Sequence, residues 1–360
     1  MDLERLTMLF RRWSDIEAIA NLSPLYGLLG HAVADNPDLL ALSSEALPGQ
    51  PPPNILFGTV HALLAQKPGE PLARYYATLG GTMPPSSEAS RLFTEFCFAN
   101  RDALLPVIRT RLVQTNEVRR SALLLPAFAE VSQLSRQSLA LLEIGPSAGL
   151  NLLFDHYRYE YGDFAVGDET SPVTLVCEPR GPVPRVEIPR VASRLGIDIN
   201  PLDVSNADDV AWLRALIWPE HTDRLALLDA AIKVAQANPP RLVRGDLFDY
   251  LEESHLPAVP ADAAVCIFAT FVLHQLTPEM RERLAQRLLD LSHRRDIYLV
   301  QVGSPDFIEP GAQLAGEEQI WILRVHEGAG EYRISSIANP HGRWITMQPG
   351  SPWKSWRPPV

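Results

Sequence analysis

Between Leu139 and Leu153 the chain reads LALLEIGPSAGLNLL, an apolar run that ends in an acid and passes into a small-residue turn. Glu143 closes the predicted strand, Gly145, Ser147 and Gly149 follow at alternate positions, and Asn151 stands just inside the next predicted helix. In such a turn the backbone approaches a ligand closely, and the first amides of the helix face a carboxylate or a phosphate. On this reading Gly149→Val abolishes ligand binding and leaves the fold intact. The same residues, Gly145-Pro146-Ser147-Ala148-Gly149, also spell GxSxG, the nucleophile elbow of α/β-hydrolases. Ser147 is then the nucleophile, with Asp246 and His274 behind it in the chain order Ser, Asp, His. An elbow requires several strands and an oxyanion loop before it, whereas the preceding residues read as helix, and it leaves Glu143 and Asn151 idle.

Downstream, three acids and a histidine fall near predicted strand ends. The segment VASRLGIDINPLDV (191–204) places Asp198 where an acid accepts hydrogen bonds from a ribose diol, with Asp203 as a second candidate that reads better as a helix cap. Arg241 to Asp246 is a short apolar strand ending in Gly-Asp, which suits Asp246 to an adenine amino group. His274 follows the strand Ala263 to Phe268 and is a candidate general base, although a histidine before a helix more often has a structural role. Upstream, Arg109 to Arg120 is densely polar between apolar helices. Asn116 and Glu117 read equally as a cap and as a ligand-facing edge.

These groups need a frame. Up to about residue 137 apolar residues recur at helical spacing, broken by PGQPPPN (48–54) and GGTMPPSS (80–87), which predicts an all-helical amino-terminal lid domain. From 138 to 345 strands alternate with helices, as in a mostly parallel sheet covered on both faces, with an inserted hairpin near 157–188 and an antiparallel hairpin at the end. Tyr157, Tyr159 and Tyr161 alternate in the insertion as a half-buried strand face. Residues 346–360, rich in Pro and Trp, read as an irregular arm.

The chain has 360 residues, 46% hydrophobic and 21% charged, and a net charge of -11, which disfavours nucleic acid and anionic membrane surfaces as main partners. No apolar run reaches the roughly 20 residues that span a bilayer, and the charged start lacks a cleavage site; a cytoplasmic protein is expected. Cys97, Cys177 and Cys266 are odd in number and far apart, which argues against disulfides and a CxxC metal site, and no metal is expected.

In order, Glu143 to Gly149, Gly196-Ile197-Asp198, Gly245-Asp246 and Phe271 to His274 resemble the motifs of class I S-adenosylmethionine-dependent methyltransferases. That resemblance implies a Rossmann-like methyltransferase-type sheet and S-adenosylmethionine bound by Glu143, Gly145, Ser147, Gly149, Asn151, Asp198 and Asp246. It also implies a small-molecule methyl acceptor, with His274 assisting proton removal. Nearly the whole chain is also similar to a bacterial family described only as a domain of unknown function, number 2332. The strings that carry this are Ser23-Pro24-Leu25-Tyr26, Gln114 to Val118, Ser147 to Leu152, Gly196 to Asp203 and Trp218-Pro219. Two departures from the methyltransferase pattern, Ser147 at a position often glycine and the long insertion before Asp198, define the alternative of a non-catalytic binding or interaction protein that has lost cofactor chemistry.

Overall fold

The computed structural model describes residues 2–251, 259–303, 305–309 and 318–358. It is a mixed α/β structure that divides into two compact units, one of residues 1–115 with 205–228, the other of 116–204 with 229–360.

The first unit is helical. It contains α1 (Leu3–Trp13), α2 (Pro24–Ala34), α3 (Pro37–Ser43), α4 (Pro52–Ala65), α5 (Ser87–Ala99) and α6 (Arg101–Ile108). Prolines at the first turn of α2, α3 and α4 start those helices where a missing N–H costs nothing. Its core is aromatic. Tyr26 stacks on Phe57 with centroids 4.7 Å apart, and Trp13 lies 5.1 Å from Trp218. Glu220 accepts hydrogen bonds from the Ser23 hydroxyl and from the Leu25 amide at the start of α2. The distant strings SPLY and WP are therefore joined by a helix cap and an aromatic cluster.

In the second unit, α7 (Ser121–Ser135) precedes β1 (Ser138–Ile144), and the tyrosine segment forms β2 (Arg158–Tyr161), β3 (Phe164–Gly167) and β4 (Thr174–Val176), a separate three-stranded sheet. The main sheet contains β1, β5 (Glu178–Pro179), β6 (Val191–Asp198), β7 (Leu242–Arg244), β8 (Ala263–Thr270), β9 (Ile297–Val302), β10 (Glu318–His326), β11 (Ala329–Ala338) and β12 (Trp344–Met347), in the order β5-β12-β11-β10-β9-β8-β1-β6-β7. Its central strands β7, β6, β1, β8 and β9 are mutually parallel; β10 and β11 return antiparallel. Helix α8 (Ala207–Ala215) falls in the first unit, and α9 (Thr222–Ala237), α10 (Leu247–Tyr250) and α11 (Pro278–Ser292) follow along the chain. Thr277 caps α11, accepting from the Met280 amide, as the Thr-Pro-Glu string predicts.

Three differences from the sequence expectation have physical causes. Helix α7, expected with the amino-terminal helices, belongs to the second unit because its Phe128 ring packs against Phe154 and Phe268, at 4.8 and 5.1 Å. The Pro- and Trp-rich tail is ordered enough to add β13 (Lys354–Trp356) to β11. Finally, the three tyrosines are fully buried rather than half-buried, because each hydroxyl donates to a main-chain carbonyl: Tyr157 to Leu150, Tyr159 to Phe154 and Tyr161 to Ala122.

From β1 the chain crosses to β6 and β7 on one side, and β8 returns on the other side of β1. The direction of the strand order reverses between β1 and β8. In open α/β sheets the crevice beyond the carboxyl ends at such a reversal is where ligands bind. One sheet face packs Leu142, Ile144, Ile267 and Leu299 against Leu284, Leu288 and Leu291 of α11. Glu143, in register with Phe268, points to the opposite face, the one that carries α7.

Candidate functional site

The glycine turn follows β1 as expected, with left-handed φ at Gly145 (+66°), Ser147 (+56°) and Gly149 (+73°). What it opens is different. Residues Leu150–His156 form a short 3-10 helix with a kink at Leu153, not a regular α-helix, so the aligned dipole of a long helix is missing. Its first amide is also engaged: Leu150 N–H donates to Asn116 Oδ1 at 3.0 Å. The helix-start amides therefore offer little to an anion, which corrects that part of the expectation.

Asp198 lies at the carboxyl end of β6, 7% exposed. Its Oδ2 accepts from the Ser147 amide at 2.9 Å and its Oδ1 from the Asn200 amide at 2.8 Å, while Leu202 N–H donates to Ser147 O. The acid thus ties the β6 exit to the glycine turn and holds Ser147 in a conformation that costs an L-residue about 1–2 kcal/mol. Burial raises the Asp198 pKa, against the two amides and Arg244.

Glu143 is 1% exposed. Its carboxyl is pushed up to about 8 by burial and by neighbouring Asp198, with a side-chain hydrogen bond from Asn151 and the positive charge of Arg120 opposing. Its Oε2 has no hydrogen-bond partner among the described residues. Asn151, fully buried, accepts from the Ser121 hydroxyl at 2.9 Å, so the start of α7, the 3-10 helix and the end of β1 share one polar network. Such networks hold a unique arrangement when complete and mark a functional or hydrated position where an acceptor is left over.

The polar phrase before α7 belongs to this network. Asn116 caps Leu150, Glu117 accepts from the Arg119 amide, and Glu117 Oε2 lies 3.5 Å from His341 Nδ1. Arg120 donates through Nε to the Pro340 carbonyl at 3.0 Å and lays its guanidinium 4.1 Å from the centroid of Phe271. Phe271 itself has φ +57° at the carboxyl end of β8. Two strained non-glycine residues, Ser147 and Phe271, therefore flank the crevice between β1 and β8, the kind of position where strain accompanies function.

Other predicted residues lie apart from this group. Asp246 is exposed and caps its own short helix by accepting from Phe248 N–H at 2.9 Å. His274 is exposed on the single turn Leu273–Gln275, its pKa lowered by desolvation and by Arg281. The Ser147 amide and carbonyl meet Asp198 and Leu202. The capping role expected of Asp203 belongs to Asn206, which accepts from the Asp208 and Asp209 amides. The sequence reading overlooked Arg120, Phe271 and His341 as site residues, although the first two stood in strings already singled out and Asn339-Pro340-His341-Gly342 is a turn signal.

Asn116→Ala is expected to lower stability by about 1–2 kcal/mol, because it strands the buried Leu150 amide. Urea denaturation reads this as a lower midpoint, restored by Asn116→Asp; an unchanged midpoint means that the cap contributes nothing.

The chain belongs to a family of uncharacterised proteins conserved in bacteria, domain of unknown function 2332, which matches residues 9–347. No curated protein and no solved structure matches it. Among the described residues no group of His, Cys, Asp and Glu is arranged to hold a metal ion, and no helix is long and apolar enough to cross a membrane.

Proposed function

We propose that the chain binds a small molecule at the carboxyl edge of β1 and β8, that this ligand is S-adenosylmethionine, and that the activity is methyl transfer to a small-molecule acceptor. The observation that carries the reading is Glu143: a fully buried carboxyl with one oxygen that has no hydrogen-bond partner among the described residues, at the strand-order reversal where open α/β sheets bind ligands. The resemblance of Glu143 to Gly149 and of Gly196 to Asp198 to methyltransferase motifs gives the ligand its identity.

The residues fit that ligand at its amino end, where Glu143 Oε2 suits an ammonium. At the ribose end stands the Asp198 carboxylate, at the carboxyl end of β6 beside the glycine turn. When bound, the cofactor supplies a methyl group on a sulfonium. The chain's own contribution is alignment: Glu143 and Asp198 fix the ligand ends, and the apolar wall at Val272 and Phe271 excludes water from the crevice. Neither His274 nor Asp246 is needed for this.

A second reading, a non-catalytic binding or interaction protein, draws on a different observation. The Leu150 amide is occupied by Asn116 and both Asp198 oxygens are tied to backbone, as in a site whose ligand contacts have been replaced by the protein's own. Calorimetric titration with S-adenosylmethionine and S-adenosylhomocysteine separates the two. Methyl transfer predicts micromolar binding that falls at least tenfold in Glu143→Ala and in Asp198→Ala. A folded protein that binds neither compound removes the enzyme reading.

A further inference from the structure

Gly145 opens the turn with φ +66°, and the space that a side chain would take there is filled by another residue. An added Cβ would lie 2.7 Å from Val272 Cγ2 and 3.1 Å from Val272 Cγ1. In a turn whose glycines let a ligand approach the backbone, that space belongs to the ligand. Val272 cannot leave it by rotating. Its two methyls occupy two of the three staggered positions about χ1, so every rotamer keeps at least one of them against the turn. Clearing Gly145 therefore requires the backbone of Val272 to move.

The segment that carries Val272 has a strained start and a clamped end. Phe271, with φ +57°, lies against Gly303, with φ +120°, where an added Cβ would be 3.4 Å from Phe271 Cδ1. A bulky residue stays in that region of backbone space only while its surroundings hold it there. At the far end the Arg281 guanidinium donates through Nε to the Leu276 carbonyl and through Nη2 to the His274 carbonyl, both at 3.1 Å, with Asp306 3.8 Å from Nη1. Only the single 3-10 turn Leu273–Gln275 lies between these anchors.

We infer that Val272 decides which ligands enter the crevice, because the strap 271–276 must lift it off Gly145, and that Arg281 is the latch that opposes lifting. The inference rests on the carboxyl edge being the ligand site, not on the identity of the ligand. A ligand that needs the turn cleared binds only the lifted form, so its affinity falls with the fraction of protein that is lifted. Removing the latch or trimming the valine raises that affinity.

Hydrogen exchange of the full chain, read by mass spectrometry on peptides, tests the strap without any ligand. The Phe271, Gln275 and Leu276 amides donate to the carbonyls of Val302, Val272 and Leu273. Their exchange is expected to be faster than that of β8, and to rise by about tenfold or more in Arg281→Gln while β1 and β8 are unchanged. Protection equal to that of β8 in both proteins, or exchange that accelerates throughout Arg281→Gln, overturns the inference. Titration with S-adenosylhomocysteine tests the entry role. Folded Val272→Ala is expected to bind it about fivefold or more tightly than the wild type, Arg281→Gln to shift in the same direction, and Val272→Ile to bind more weakly. Equal affinity of the wild type and Val272→Ala overturns the inference and leaves the methyl-transfer reading standing. If no folded protein binds the compound, methyl transfer fails, and exchange alone decides: local opening in Arg281→Gln supports the strap and its absence overturns it.

Discussion

Glu143→Gln is expected to stabilise the protein strongly at pH 9 and scarcely at all at pH 4. The folded-state carboxyl titrates near 8 and an unfolded glutamate near 4.5, so between those values the folded chain keeps a proton that the unfolded chain has released. The unfolded state then binds fewer protons, and stability falls as pH rises through this window. Below it both states are protonated and the residue is neutral in either. Above it both are ionised, and the cost of a buried charge is fully present, up to about 5 kcal/mol from a displacement of this size. Asp198, also raised, adds to the same trend. A glutamine keeps the shape and the contact with Asn151 and has no proton to lose. Urea midpoints of both proteins from pH 4 to 9 should converge at the acid end and separate steadily above pH 5. Parallel curves would mean that the carboxylate is solvated in the folded protein.

The elements were legible because their signals are local. Alternating strands and helices after residue 138, the proline at the first turn of α11 and the strand that carries Glu143 are all fixed by short-range pattern. The roles of the polar strings were not, since each is completed by a partner far along the chain. Asn116 reaches Leu150, Ser121 reaches Asn151, Asp198 reaches Ser147, and Glu220 reaches Ser23. A capping pattern identifies a donor or acceptor that needs a partner; it does not say that the partner is 34 or 197 residues away. The same limit applies to burial. Tyr157, Tyr159 and Tyr161 alternate like a surface strand, yet all three are buried because carbonyls of the 3-10 helix and of α7 accept their hydroxyls.

Gly149→Val is expected to destabilise the fold by about 2–6 kcal/mol, contrary to the expectation that it removes binding alone. Gly149 has φ +73°, a conformation that costs a β-branched residue about 1–3 kcal/mol. Any side chain there also meets the protein rather than a ligand: an added Cβ would lie 2.8 Å from Leu242 Cδ2 and 3.0 Å from Pro240 Cγ. Overpacking of this kind typically adds about 1–3 kcal/mol. The glycine is thus required for the turn to lie against β7 and the segment before it, whatever the crevice binds. Gly149→Ala, with the same backbone strain but a smaller overlap, should fall between the wild type and valine in urea midpoint. Equal stability of all three proteins would instead place open space at this position and restore the glycine as a ligand contact. Loss of S-adenosylmethionine binding in Gly149→Val therefore counts for the site only when measured below the unfolding transition of the variant. The isosteric exchange at Glu143, which leaves the backbone untouched, is the cleaner probe of the same crevice.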